Sequence, residues 1–201
     1  TSTAIGPGAV AGDTMSLAVG VGASAMGEGS SAFGLHATVI GDRSISFGSN
    51  TLVLGNHSID FTMDGHVLSD WSINLAGLNR NQCAYQTTVG WKPTVDSSWS
   101  LTNWVADEPL FTVGNGSPLI NNQRADALMI LKNGHTGIGN SYPETRLSVA
   151  DPSGIQLELV NTFTPTSTTD PTGNVGDVAW DQGYLYVKTQ VGWKRTALST
   201  F

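Results

Sequence analysis

The ionisable residues of this chain offer few starting points for chemistry. The four histidines are scattered along it: His36, His57, His66 and His135. Asp60, Asp64 and His66 are close enough in sequence to suggest a metal site, but their spacing fits no standard calcium loop. We therefore expect a polar segment there, with no bound metal and no cofactor.

Carboxylates could also act as a general acid and base, as they do in glycoside hydrolases. Asp107 and Glu108 are adjacent, and adjacent side chains of a strand point to opposite faces, so they make a poor catalytic pair. A pair assembled from two subunits is the remaining alternative. The sequence has no P-loop, no HExxH, no GxSxG and no dinucleotide fingerprint between a strand and a helix. We expect no enzymatic activity.

Aromatic residues are better suited to recognition than to catalysis. A set of five lies between residues 62 and 108: Trp71, Tyr85, Trp91, Trp99 and Trp104. Tryptophan and tyrosine are enriched at binding hot spots, and their flat rings also suit the CH faces of sugars. This set is our candidate receptor-binding surface. The alternative is that the tryptophans form the core of a small module, and we expect one or two of the four to be exposed.

A seven-residue repeat organises the first third of the chain. Glycine recurs at seven-residue intervals: Gly20, Gly27, Gly34, Gly41, Gly48 and Gly55. A large apolar residue precedes each glycine, and a small residue lies four positions before it. Glycine in every unit argues against a coiled coil, whereas alternation within each unit predicts short strands. Two units would make one coil of a parallel β-roll; the alternative is an antiparallel meander.

Both faces of these predicted strands lack charge. Residues 1–61 contain only five charged side chains: Asp13, Glu28, Asp42, Arg43 and Asp60. One strand face carries large apolar residues and the other carries small ones, so a single roll would present apolar side chains to water. Copies of the same chain around a symmetry axis would cover them. We therefore expect a homo-oligomer.

The repeat units also carry a resemblance. GASAMG, GSSAFG and NTLVLG resemble the head repeats of YadA-like trimeric autotransporter adhesins and of many phage tail fibres, over roughly residues 4–61. The fold of that family is a trimeric left-handed parallel β-roll, so the resemblance implies an all-β homotrimer. The sequence departs from the family pattern at Asp13, and at Phe33 and Phe47, where smaller aliphatic residues are usual.

Residues 62–108 differ in composition, and we interpret them as a tryptophan-rich insertion or side module that follows the roll at residues 1–61. The glycine spacing stops at their start. Partial helical spacing between Leu68 and Asn81 suggests a short helix. Gln86–Trp91 and Ser98–Val105 are typical of strands.

Residues 109–150 form a third, β-rich segment. Leu110–Val113 and Ala127–Leu131 are predicted strands, and Asn133–Gly134 predicts a hairpin. The order of KNG, a GIG turn, a proline and a short strand resembles a recurring phage tail-fibre module. The matching residues are Lys132–Gly134, Gly137–Gly139, Pro143 and Leu147–Val149.

Residues 151–201 combine a linker with a C-terminal meander. Asn161–Gly173 is rich in threonine and proline, which predicts an extended segment that does not pack. Gly176–Trp180, Tyr184–Lys188 and Gly192–Ala197 predict three antiparallel strands. Residues 174–198 closely resemble a terminal module common in phage fibre and tail proteins. Their aromatic set is an alternative receptor face: Trp180, Tyr184, Tyr186 and Trp193.

Composition and resemblance together define the functional hypothesis. The net charge of -7 argues against nucleic-acid binding, and a single cysteine excludes an intrachain disulfide. No apolar run reaches the roughly 20 residues needed to span a bilayer. The resemblance implies a homotrimeric fibre or tail-tip protein in the virion tail, in contact with other tail or virion proteins and with a host-surface receptor such as a glycan. The alternatives are the head of a bacterial trimeric adhesin and a purely structural virion adaptor or decoration protein.

Overall fold

The computed structural model describes residues 1–75, 77–117, 123–151, 154 and 157–200. The chain divides into two compact units, residues 1–154 and residues 155–201. The described residues contain no helix, and therefore none that could cross a membrane. The predicted all-β fold is confirmed.

Twenty strands follow one another along the described residues. Those of the roll are β1 (Thr3–Ile5), β2 (Val10–Ala11), β3 (Leu17–Val19), β4 (Ser24–Ala25), β5 (Ser31–Phe33), β6 (Thr38–Val39), β7 (Ile45–Phe47), β8 (Leu52–Val53), β9 (Ile59–Phe61), β10 (His66–Val67), β11 (Ile73–Leu75), β12 (Arg80–Asn81) and β13 (Thr87–Trp91). After the roll come β14 (Pro109–Asn115), β15 (Asp126–Leu131), β16 (Thr136–Ile138), β17 (Leu147–Val149), β18 (Val178–Trp180), β19 (Tyr184–Thr189) and β20 (Gly192–Ala197).

The roll is a parallel β-solenoid with two strands in each coil. The odd-numbered strands from β1 to β13 pair in one sheet, and the even-numbered strands from β2 to β12 pair in the other. Each strand lies beside the strand fourteen residues further on, with Thr3 opposite Leu17 and Val10 opposite Ser24. One coil is therefore two seven-residue units, as the glycine spacing predicts, and the antiparallel alternative is excluded for this part of the chain.

Side-chain size decides which face of each strand points inward. The residues between the two sheets are small and fully buried: Ala18, Ala25, Ala32, Val39, Ser46 and Val53. Their large neighbours point outward and remain 41–49% exposed in the single chain: Met26, Ile40, Phe47 and Leu54. Only small side chains occupy the space between the sheets. The alternating pattern therefore fits in one orientation, with the small residues inward and the large residues outward.

Each coil turns at two corners, where the backbone adopts a positive φ. At one corner the non-glycine residues with this conformation are Met15, Arg43, His57, Trp71 and Tyr85, with φ between 54° and 64°. Hydrogen bonds between coils hold these corners in register, such as that from the His57 amide to the Asp42 carbonyl at 2.9 Å. Side chains add to them, since Asp70 Oδ1 accepts from the Asn56 amide at 2.7 Å. Equivalent corner residues therefore stack in a column.

The coils continue past residue 61, where the sequence predicted the roll to end. β11 pairs in parallel with β9, and β13 pairs in parallel with β11. The glycine spacing stops here, but the inward positions are still filled by side chains that fit: Asp60, Asn74 and Thr88 are all fully buried. Residues 62–91 thus belong to the roll and not to a side module.

The short helix predicted between Leu68 and Asn81 is wrong, because β11 and β12 occupy that segment. Its apparent helical spacing has a structural cause. Trp71 and Leu78 lie at corners and have positive φ, while Leu75 lies on the outer face of a strand. A seven-residue coil unit places outward positions three and four residues apart, which imitates the period of a helix.

Four further strands extend the first sheet. β14 pairs in parallel with β13, β15 is antiparallel to both β14 and β16, and β17 is parallel to β16. The hairpin predicted at Asn133–Gly134 is confirmed, with the Gly134 amide donating to the Leu131 carbonyl at 2.9 Å. The strand predicted at Ser98–Val105 is wrong. The carboxylate of Asp96 accepts hydrogen bonds from the amide and hydroxyl of Ser98, and this starts a turn instead.

The second unit contains the predicted antiparallel meander of β18, β19 and β20. Ala179, Tyr186 and Trp193 are its buried core. The segment Asn161–Gly173 contains no strand, as expected, but it is not unpacked. The ring of Phe163 contacts the core, and the indole Nε1 of Trp193 donates to the Thr172 carbonyl at 3.1 Å.

Asp170 explains why this threonine-rich segment folds back on the sheet. Its carboxylate accepts hydrogen bonds from the backbone amides of Thr166, at 2.8 Å, and Thr172, at 2.9 Å. These bonds favour the charged form and hold the pKa of Asp170 well below its ordinary value. A composition typical of linkers therefore conceals a local hydrogen-bonded turn.

Candidate functional site

Four aromatic side chains form a row along one corner of the roll. This aromatic corner consists of His57, Trp71, Tyr85 and Trp104. The rings of His57 and Trp71 are parallel with centroids 4.2 Å apart, and those of Trp71 and Tyr85 are parallel at 6.4 Å. Trp104 packs edge-on against Tyr85 at 5.6 Å. Trp71 is 52% exposed and Trp104 is 55% exposed, so the row faces solvent.

The coil repeat positions the first three rings of the aromatic corner. His57, Trp71 and Tyr85 are fourteen residues apart and share the same corner position, with positive φ. Trp104 comes from the irregular segment after β13 and is placed by different contacts. Sequence reasoning identified Trp71, Tyr85 and Trp104 as candidates but missed His57, although its fourteen-residue spacing from Trp71 was a signal that could have found it.

A buried ion pair anchors the segment that carries Trp104. Lys132 Nζ lies 3.3 Å from Glu108 Oε2, and the Lys132 side chain is fully buried. Glu108 Oε1 accepts a hydrogen bond from the Ser100 amide at 2.7 Å. The ammonium group also lies 5.5 Å from the ring centroid of Trp104 and 6.0 Å from that of Tyr85. Lys132 thus joins the hairpin to the aromatic corner, a role that its sequence context did not suggest.

The other two tryptophans of the candidate set do not join this row. Trp99 is 9% exposed and packs with Cys83, Met129 and Leu131 in a hydrophobic core. Trp91 is half-buried, and its Nε1 is enclosed without a hydrogen-bond partner among the described residues. Two of the four tryptophans are therefore well exposed, as expected, and the candidate surface is reduced to Trp71, Tyr85 and Trp104.

The alternative aromatic set in the C-terminal unit is mostly structural. Tyr186 is 3% exposed and Trp193 is 5% exposed, so neither can contact a receptor while the unit is folded. Trp180 and Tyr184 are half-buried, and Trp180 Nε1 donates to the Leu159 carbonyl at 2.8 Å. The alternating pattern predicts that Tyr184 and Tyr186 lie on the same face of β19. In the structure that face packs into the core of the C-terminal unit.

Asp60, Asp64 and His66 do not converge on a metal site. Asp60 is fully buried inside the roll, His66 points outward, and Asp64 lies at a corner. Burial lowers the pKa of His66, and the charge of Arg80 lowers it further. Within residues 1–75, 77–117, 123–151, 154 and 157–200, no group of three or more His, Cys, Asp or Glu side chains is arranged to hold a metal ion.

Burial raises the pKa of Asp60 from its ordinary value of 3.8 to about 6. The Thr62 hydroxyl and the Asn74 amide lie beside the carboxyl group and favour its charged form, but neither carboxyl oxygen has a hydrogen-bond partner among the described residues. We expected a polar segment where the repeats end. The structure instead has a buried carboxyl group, that of Asp60, inside the roll.

The one cysteine is chemically inert in the folded chain. Cys83 is fully buried, and burial raises the pKa of its thiol to about 12, although the nearby Lys132 ammonium acts in the opposite direction. Reactive cysteines need an accessible thiolate. Cys83 is therefore a core residue and not a nucleophile.

A cavity of about 330 Å³ lies beside the hairpin of β15 and β16. Trp99, Pro109, Leu131 and Pro143 give it an apolar wall. Its polar residues are Asp107, Asn133, His135, Ser141, Tyr142 and Glu144. Sequence reasoning missed this cavity because its residues come from several separate segments, with no shared spacing to connect them.

The comparisons with known proteins find one likeness. Two stretches of the chain, residues 1–23 and residues 18–44, each match one copy of the YadA head domain repeat. No curated protein and no solved structure matches the chain. The first coils of this β-solenoid are thus similar to an adhesin head of the YadA type, which is consistent with self-association and with an extracellular-facing surface protein.

Proposed function

We propose that this chain is a homotrimeric attachment protein of a phage tail, in a fibre or at the tail tip, and that it binds a receptor on the host surface. The observation that carries the proposal is the aromatic corner. Exposed tryptophans are costly in water and are enriched where proteins bind partners. Here Trp71 and Trp104 are held in an ordered row, with Lys132 fixed beneath them.

The outer face of the first sheet supports self-association. The rings of Phe33 and Phe47 stack with centroids 4.6 Å apart, and those of Phe47 and Phe61 stack at 5.0 Å. Phe47 is 43% exposed and Phe61 is 48% exposed in the single chain. A contiguous apolar face of this kind is typical of an interface, and three copies around an axis would bury it.

The proposed place in a phage tail rests on the resemblance of the later segments. The order of KNG, GIG, proline and strand, and the C-terminal meander, both resemble modules of phage fibres. The chain would then contact other tail or virion proteins as well as the host. The match to YadA head repeats favours the second candidate, the head of a bacterial trimeric adhesin. Both candidates share the attachment role.

The aromatic corner favours a long receptor over a small one. Trp71 has a parallel ring on each side, His57 at 4.2 Å and Tyr85 at 6.4 Å, so its ring edge and not its face is the more available part. A receptor that follows the row of rings along the roll fits this geometry, such as a glycan chain of the cell surface.

Attachment of the labelled protein to a panel of bacterial strains tests this proposal. We expect Trp71→Ala and Trp104→Ala each to weaken attachment at least about tenfold, because each removes an exposed anchor. Val191→Ala is the control, since Val191 is 72% exposed but lies in the C-terminal unit. Circular dichroism and native mass establish that each variant keeps its fold and assembly.

Two results would contradict the proposal. Folded variants that attach as well as the unmodified protein would show that the aromatic corner is not the receptor site. A trimer that attaches to no strain would instead favour a purely structural part of the virion.

A further inference from the structure

The cavity beside the hairpin is a partly open site, separate from the aromatic corner, with ordered polar groups. The side-chain amide of Asn133 donates from Nδ2 to Asp107 Oδ1 at 2.7 Å, and its Oδ1 accepts from the His135 amide at 2.8 Å. Both ends of the Asn133 side chain are therefore occupied, which fixes its orientation. The second carboxylate oxygen of Asp107 accepts no hydrogen bond from the described residues.

The ring of His135 is also oriented. Its Nδ1 lies 3.2 Å from the carbonyl oxygen of Pro143. A carbonyl can only accept, so Nδ1 is the donor in this contact. This arrangement places a second oriented polar group in the cavity wall.

Two more polar side chains of the cavity wall have no partner of their own. The hydroxyl of Tyr142 and the carboxylate of Glu144 make no hydrogen bond to the described residues. A tyrosine hydroxyl is protonated at neutral pH and can donate; partial burial and the charges of Asp96 and Asp126 raise the pKa of Tyr142 further. The site thus offers both donors and acceptors to a ligand.

Shape and charge narrow the class of ligand. Trp99 and Leu131 give the cavity an apolar wall, whereas Asp107 and Glu144 are its two charged residues, and neither Lys nor Arg lines it. An apolar wall with a few placed polar groups is the usual composition of a small-ligand site. Negative charge disfavours anionic ligands such as sialic acids or phosphates. It admits a neutral polyol and favours one that carries an amine.

We propose that this cavity binds a single neutral hexose or amino-hexose unit of a surface glycan. Its volume of about 330 Å³ is at the small end of the usual range for ligand sites, which suits one sugar ring. The apolar wall contacts the CH face of the ring, and Asp107, Tyr142 and Glu144 bind its hydroxyl or amino groups. The biological meaning of this site rests on the proposed attachment function, but sugar binding is measurable without it.

A single sugar bound in a shallow site gains little free energy, so we expect a dissociation constant on the order of 1 mM for each site. Several copies in one assembly would strengthen attachment to a repeating glycan, because the second and third contacts become intramolecular. The cavity and the aromatic corner would then contact different parts of the same surface.

Saturation-transfer NMR on the full 201-residue chain tests the inference. The probes are glucose, galactose, N-acetylglucosamine and glucosamine, with N-acetylneuraminic acid as the anionic comparison. We expect transfer to at least one neutral or amino sugar and none to the anionic sugar. Tyr142→Phe removes one hydroxyl from a side chain that is 58% exposed, and Glu144→Gln removes one charge. Each should weaken sugar binding at least about fivefold without unfolding the protein.

Val191→Ala is the control, because Val191 is 72% exposed and does not line the cavity. It should retain sugar binding. The proposed function fails if folded Trp71→Ala and Trp104→Ala keep cell attachment, whereas this inference fails on sugar binding by Tyr142→Phe and Glu144→Gln, so the two failures are distinguishable. The inference is overturned if no neutral or amino sugar shows transfer, if Tyr142→Phe and Glu144→Gln leave transfer unchanged, or if the anionic sugar binds best.

Discussion

The interior of the roll changes from apolar to polar along its length. One inward column begins with Ala18 and Ala32 and continues with Ser46, Asp60 and Asn74, each paired directly with the next coil. Ser46 Oγ lies 2.5 Å from Thr51 Oγ1, so that hydroxyl is satisfied. The carboxyl oxygens of Asp60 are not, and no cation accompanies them among the described residues. Binding of a proton neutralises the Asp60 carboxylate without the movement of any neighbouring side chain.

Asp60 therefore makes stability depend on pH. Its pKa is about 6 in the folded chain and 3.8 without burial, so between these values the folded state binds more protons than the unfolded state. Stability should fall as the pH rises, by about 3 kcal/mol in all from this group, of which about 2 kcal/mol is lost between pH 4 and pH 6. Asp60→Asn, which keeps the shape without the charge, should flatten this dependence and raise the melting temperature at pH 7. Thermal unfolding from pH 4 to pH 8 measures both.

Glu28→Gln is the control for this experiment, because Glu28 is an exposed carboxylate of the same roll. It should leave the pH dependence of the melting temperature as it was. A variant Asp60→Asn with the same pH profile as the unmodified protein would contradict a neutral carboxyl group in the interior.

Single residues also mark where sequence reasoning succeeded and where it stopped. The inward small residues and outward large ones, such as Ala32 and Phe33, follow from alternation alone. The burial of Asp60 depends on the coil that follows it, which lacks the glycine signal. The positions of Trp104 and Lys132 depend on an irregular segment and a buried ion pair, and no periodic pattern encodes either.

Among the structural elements, the corners impose the tightest packing in the roll. Gly34 has a φ of +130°, and a Cβ there would lie 1.8 Å from the carbonyl oxygen of Gly48 in the next coil. Any side chain would force two coils apart. The glycine spacing that identified the fold is thus a requirement of corner stacking, as well as of backbone conformation.

Gly34→Ala should destabilise the roll by roughly 2–4 kcal/mol, because it combines an unfavourable φ with a collision against the backbone. Gly8→Ala is the matched comparison: its φ of +68° is also unfavourable, but its nearest atoms are 3.9 Å away. That variant should cost only about 1 kcal/mol. Urea unfolding of both variants gives the two values. Equal losses would show that collision between coils does not limit the corners.

The elements were predicted well where one pattern governed them. The coil length, the hairpin at Asn133–Gly134 and the three-stranded C-terminal sheet all follow from turn residues and alternation. The helix expected between Leu68 and Asn81 failed because outward positions of a coil recur at helical spacing. The choice between a helix and a coil of the roll depends on pairing with strands fourteen residues away, and the local spacing does not contain that information.

At the scale of the whole molecule, the outer phenylalanine stack predicts assembly. Light scattering should give a native mass near three times the 21.1 kDa of the chain. Phe47→Glu places a charge in the middle of the stack and should shift the protein to monomer, whereas Phe47→Leu should keep the trimer. A monomeric unmodified protein would contradict the shared apolar face.

The stacking of coils also determines how the roll responds to a pulling force. Its backbone hydrogen bonds join one coil to the next, so they run along the axis of the roll, and tension on that axis loads them a few at a time. A coil that opens releases fourteen residues, or about 45–50 Å of extended chain, in place of about 4.8 Å of stacked height. If its two ends are attached to objects that move apart, such a roll unfolds one coil at a time. The work done in unfolding the coils is dissipated before either attachment breaks.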